Sequence, residues 1–212
     1  GWNKTLQHAW FIFLTFIISS VIVSSTIINP LLNAVVVLMV GLSFASISLM
    51  IVRNHAFSFA DLFYPLLSPR RVLKFFALAS LYILPMLIVT LTGAILVVGA
   101  ASGSASVTLF GLIMTVVFFV PSLYIAVRFK FFPFIVVEHE HSTVKDLVLM
   151  TYKLTDGNFW PILGFIVLAC CLNLIGFVLL GVGLFLTIPT TFFAAAHLYD
   201  RLKSHSDRKS VV

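Results

Sequence analysis

The residues best suited to chemistry stand together at Glu138-His139-Glu140-His141. In an extended segment His139 and His141 fall on one face, and imidazoles are common zinc ligands. Two imidazoles make no closed site, however, and no His-x-x-x-His helix accompanies them, so the cluster reads as a solvated loop rather than a metal centre. Asn173 lies in the middle of an apolar run, where an amide in lipid needs a partner and marks either a helix contact or a polar path. His197 lies near the end of the last apolar run. These two are the candidate intramembrane polar residues. Cys170 and Cys171 are neighbours, so in a helix they point about 100° apart and cannot pair. No Walker loop, nucleophile elbow or HExxH motif is present. No catalytic residue, cofactor site or metal site is therefore expected, and the chain reads as not an enzyme.

The elements that would carry these residues follow from composition. Charged residues make up only 9% of the 212, and 61% are hydrophobic, whereas soluble domains average roughly a quarter charged. Such a chain cannot clothe a surface in water, and apolar runs near the ~20 residues of a membrane span account for most of its length. The fold expected is an all-α, single-domain bundle of six transmembrane helices over about 9–28, 31–52, 72–98, 107–127, 159–180 and 184–199. Asn29-Pro30 breaks the first two spans apart. Pro85, Pro121 and Pro189 fall inside later ones. Gly41, Ser43, Ala45, Ser46 and Ser48 are spaced to admit a close neighbour. Gly181-Val182-Gly183 makes the last tight turn, and the polar tail from Asp200 reads as unanchored.

Two segments interrupt the spans. In 57–68, Phe59, Leu62, Phe63, Leu66 and Leu67 follow the i, i+3, i+4, i+7, i+8 stripe of an amphipathic helix, although Pro65 should kink or shorten it. In 143–156, Thr143 and Asp146 have cap spacing, Val144, Leu147, Val148, Thr151 and Leu154 line one face, and Gly157-Asn158 supplies the stop. Both are expected to lie on the membrane's cytoplasmic face. Residues 131–158 as a whole are expected to return the chain to that interface.

Charge sets the orientation. All thirteen Lys and Arg fall at the start, between spans two and three, between four and five, or after span six. The opposite loops hold none. This is a positive-inside pattern with both termini cytoplasmic. No basic run exceeds two residues, which argues against nucleic acid as a partner. The expected partners are membrane lipid and a second membrane or cytoplasmic protein at the inner face. The candidate contact residues are Phe59, Phe63, Arg70, Arg71, Arg128, Lys130 and Trp160. No Asp, Glu, Lys or Arg falls within the hydrocarbon part of an expected span, which argues against an ion-coupled pump.

The run Arg128 to Glu138 (R-F-x-F-x-P-F-I-V-V-E), Thr143 with Asp146, Gly157-Asn158-Phe159-Trp160, Asn173 to Gly176, Ile188-Pro189 and His197-Leu198-Tyr199-x-x-Leu202 resembles a group of bacterial six-span membrane proteins. The group includes the YciC-like proteins and the membrane domain attached to some glycerophosphoryl diester phosphodiesterases. An R-x-x-x-x-S-F-x-D-L-F pattern from Arg53 to Phe63 fits it as well. The resemblance implies a helical domain of the bacterial inner membrane without catalytic residues of its own. The function expected is a scaffold, accessory subunit or lipid-interacting component of the cell envelope. The alternative is a permease for a small apolar or lipid-like substrate.

Overall fold

The computed structural model describes residues 30–55, 59–178 and 183–209. The expected first span, residues 57 and 58, and the turn at Gly181-Val182 lie outside the described residues. Among the described residues the chain is all-helical, with α1 Pro30–Val52, α2 Pro69–Ser102, α3 Ala105–Arg128, α4 Phe132–Glu138, α5 Val144–Thr155, α6 Phe159–Val178 and α7 Leu184–Lys209. Two short 3-10 turns, Phe59–Leu62 and Tyr64–Leu66, connect α1 to α2. Four helical stretches are long and apolar enough to cross a membrane: Asn33–Val52, Pro69–Ser102, Ala105–Glu138 and Phe159–Val178.

The core sits at one end of the molecule. It gathers Leu42, Ala45 and Leu49 from the second half of α1, Phe75 and Leu78 from the first turns of α2, and Val127 from the last turn of α3. Ile162 of α6 and Ala196, Tyr199 and Leu202 of α7 close it. At its centre lies α4 with the residue before it: Phe131, Phe132, Phe134, Ile135 and Val136 are all buried. Away from this end the helices stay apolar but lose their neighbours, and Leu87, Leu91, Val98, Phe110, Val116, Leu174 and Phe177 are exposed. Unburied apolar surface on this scale, on helices of membrane-spanning length, is suited to solvation by lipid.

The exposed parts are held as hairpins. Gly103, in the left-handed conformation at φ +69°, turns α2 into α3. A Cβ at Gly99 would lie 2.6 Å from the Thr108 backbone nitrogen, and one at Gly111 would lie 2.6 Å from that of Leu96. Only glycine permits the two backbones to approach so closely. Ser122 adds a hydroxyl bond of 3.1 Å to the Pro85 carbonyl. In the other hairpin, α6 and α7 meet where a Cβ on Gly183 would lie 2.6 Å from Gly176 Cα.

Several expectations change here. The 57–68 stripe does not form one helical face: Leu62 and Pro65 are buried, whereas Phe63 and Leu67 are exposed. Proline lacks the N–H that an α-helix would use, so the described part of the segment breaks into two 3-10 turns packed on α1. The 143–156 segment does form a helix, with the Thr143–Asp146 capping box complete and Gly157 at φ +71° behind it. Its buried face, Leu147, Thr151 and Leu154, belongs to the protein core rather than to the bilayer surface. Likewise Phe131 to Val136 form the centre of the core, not an interface. The tail is helical through Lys209, because Leu202 is buried and Lys203 is paired. Of the small residues in α1, Ser43, Ala45, Ser46 and Ser48 are buried, while Gly41 has open space beside it.

Candidate functional site

The Glu-His-Glu-His turn is a junction rather than a loose loop. Glu138 ends α4, and its carboxylate accepts bonds from Lys203 Nζ at 2.8 Å and Tyr199 OH at 2.5 Å, both on α7, and pairs with Arg53. Arg53 also grips Asp200 with two nitrogens, Nη2 to Oδ1 at 2.6 Å and Nε to Oδ2 at 3.3 Å. These bonds from Asp200, then Glu138, hold the Arg53 guanidinium firmly protonated despite its partial burial. Local structure aims Arg53: Asn54, at φ 57°, ends α1 with His55 N–H donating to Met50 O and Asn54 N–H to Ile51 O. This is the paired-bond helix stop that a left-handed Asn can make.

Glu140 makes the second half of the junction. It accepts from Ser68 Oγ and Arg71, both at the start of α2, and Lys74 Nζ donates to its carbonyl at 2.5 Å. The Ser68 hydroxyl, followed by Arg71, holds the Glu140 carboxyl below the usual carboxylate range. Arg71 is buried and lies over the Tyr64 ring at 5.3 Å, and its Nε is buried without a hydrogen-bond partner. Arg53, Arg71, Glu138 and Lys203 line a shared cavity of about 400 Å³ with His55 and His139. Every cation in that wall is balanced by Glu138, Glu140 or Asp200, and Glu138 is committed to three fixed donors. The arrangement therefore clamps helices together.

The candidate residues do not converge on one place. Arg128 is buried and turned to α5, with Tyr124 OH at 3.1 Å, Thr155 Oγ1 at 3.3 Å, Asp156 at 3.6 Å and the Tyr152 ring at 4.3 Å. Lys130 lies in a different cleft, against Tyr82 of α2 and Phe192 of α7. Arg70, Phe63 and Trp160 are exposed, Trp160 standing edge-on to Phe159 at 5.7 Å. Phe59 begins the first 3-10 turn, and its side chain lies outside the described residues. Asn173 is half-buried on α6 with its Oδ1 shut away and unpartnered, as is Thr187 Oγ1 on α7. His197 is exposed beside Pro161 and Arg201. Among the described residues no three His, Cys, Asp or Glu side chains are placed to hold a metal ion.

Sequence reasoning treated Glu138 and Glu140 as solvated and passed over Arg53, Asp200 and Lys203 as partners. Their common signal was position: each stands just beyond an apolar run on the charged side, where acids and bases can pair across helices. No protein-family model matches the chain, and neither a curated protein nor a solved structure does.

Proposed function

We propose that the chain is a non-enzymatic integral membrane protein of the bacterial cytoplasmic membrane, with six spans and both ends in the cytoplasm. It serves as a scaffold, accessory subunit or lipid-interacting component of the envelope. The observation that carries this reading is polar segregation: among the described residues the ion pairs gather on one side, and the long helices away from it expose mainly apolar side chains. Arg53, Arg71, Lys74, Lys203 and their acids stand at that side, as the positive-inside pattern requires of a cytoplasmic face. Exposed Phe63, Tyr64 and Trp160 near it suit a headgroup rim. The resemblance of residues 128–202 to the YciC-like group supports the same placement.

Single cysteines in a Cys170→Ala, Cys171→Ala background test the topology. Ser104→Cys, in the α2–α3 turn, should react with an impermeant maleimide in intact cells. Ser204→Cys, near the end of α7, should react only after lysis. Equal reaction of both from outside would sink the reading.

The alternative, a permease for a small apolar or lipid-like substrate, is favoured by one observation, the unpartnered Asn173 Oδ1 and Thr187 Oγ1 inside the α6–α7 hairpin. Reconstituted flux that survives Asn173→Leu would count against it.

A further inference from the structure

Lys130 sits in unusual company. It follows α3 in the turn to α4, and it lines a cleft of about 180 Å³ with Tyr82, Phe132, Thr191, Phe192 and Ala195. These belong to α2, α4 and α7, and no acid is among them. Arg128, two residues earlier, is engaged with α5 and Asp156 and cannot share a counter-charge here. Among the described residues nothing pairs with the Lys130 ammonium, and the Tyr82 hydroxyl has no hydrogen-bond partner, although its ring lies 6.3 Å from that of Phe132. Arg53, Arg71, Arg128 and Lys203 each have a carboxylate, and the half-buried Lys74 has the Glu140 carbonyl. Drawing an ammonium out of water without an anion costs free energy that aromatic faces offset only in part, and an ionisable group at such a place in a membrane protein calls for a named partner.

We propose that this cleft binds the carboxylate end of a single-chain lipid acid drawn from the bilayer, with Lys130 as its charge partner and the Tyr82 hydroxyl as a second donor. One cation and one neutral donor match a singly charged group with two oxygens. The cavity is smaller than the roughly 300–1,000 Å³ of sites that enclose a whole ligand. Only the head of the molecule enters, and the alkyl chain runs out along the apolar side chains that the helices expose. A phosphodiester, substituted on both sides by bulky groups, fits the small volume less well. This proposal rests on the reading that the chain crosses a membrane.

The test uses the full chain in phosphatidylcholine vesicles carrying spin-labelled stearate, its methyl ester, or spin-labelled phosphatidylglycerol, at a pH where stearate is ionised. The motionally restricted fraction should favour stearate over the ester by about fivefold, a strength ordinary for a single charge pair. Lys130→Met should abolish that preference and Tyr82→Phe should reduce it, whereas Lys130→Arg and the exposed-site control Lys145→Met should keep it. Equal restriction of acid and ester, or a preference that survives Lys130→Met, overturns the proposal. Stronger restriction of phosphatidylglycerol than of stearate overturns the carboxylate assignment. A photo-reactive residue in place of Phe192 should label stearate; labelling of residues 9–28 instead assigns the cleft to the chain itself and overturns it as well. Release of the protein by a carbonate wash brings down the membrane reading together with the cleft. Retention without stearate preference brings down the cleft alone.

Discussion

Arg53 and Asp200 lie 147 positions apart, yet the guanidinium of one holds both carboxylate oxygens of the other, at 2.6 and 3.3 Å. Glu138 joins the same guanidinium from α4. Three distant points of the chain are thus fixed to each other at the charged end of the bundle.

The two ends of this clamp should differ in weight. The Glu138 side chain is 10% exposed and that of Arg53 33%. Glu138→Ala strips Lys203 and Tyr199 of their acceptor and leaves Arg53 only Asp200, so it should destabilise the protein by about 3 kcal/mol. Asp200→Ala, which leaves Glu138 on Arg53, should be milder, at about 1 kcal/mol. Unfolding midpoints in mild detergent measure both, and equal losses would refute the ranking.

The α5 cap gives an independent test. Thr143 Oγ1 accepts from the Asp146 backbone N–H, and the Asp146 carboxylate accepts from the Thr143 N–H at 3.2 Å. Thr143→Ala should lower stability by about 1 kcal/mol, with faster amide exchange confined to the first turn of α5. Thr143→Ser should retain the cap.

Acid should loosen the junction in a defined direction. Glu140 is held below its usual range by Ser68 and Arg71, and Asp146 by the Thr143 hydroxyl and backbone. A carboxylate with a depressed folded pKa contributes stability that is present above its unfolded value, near ~4, and lost as pH falls through the folded one. Protection factors against hydrogen exchange at residues 139–146, corrected for the intrinsic pH dependence of exchange, should therefore be flat from neutrality down to about pH 5 and fall below about pH 4. Ser68→Ala should move the Glu140 part of that onset upward; an unchanged onset counts against the role given to Ser68.

Glycines of the hairpins divide into two classes. Gly99→Ala or Gly111→Ala drives a methyl to 2.6 Å from a neighbouring backbone and should destabilise by about 1–3 kcal/mol. Gly93 and Gly164, with nothing within 4 Å, should accept Ala neutrally or with a gain of up to ~1 kcal/mol in helix propensity. Thermal shift in detergent separates the two classes.

The long apolar runs were legible in the sequence because lipid imposes length and hydrophobicity alone. The expected bounds 107–127 lie within two residues of α3 at each end, and the expected start at 159 coincides with that of α6. The cap at Thr143 and the stop at Gly157 were legible for the same local reason. The Phe131–Val136 core was not, because phenylalanine beside charge reads equally as a headgroup belt and as a centre of burial. Nor was the role of Glu138. Its partners Arg53 and Lys203 come from other helices, and nothing in local spacing encodes which end of which helix will meet it. Lys130 and Arg128, two positions apart, looked equivalent; a turn of backbone sends one to α5 and the other against α7.

The one-sided core also has a consequence for the order of synthesis. The α2–α3 hairpin holds its own crossing points and can assemble as soon as it is made. The charged end cannot: Glu138 waits for Tyr199 and Lys203, and Arg53 for Asp200. Until those turns of α7 are made, Arg53 has no acid from that helix and Glu138 lacks two of its donors, so Tyr199 to Lys203 act as the latch that closes the charged end.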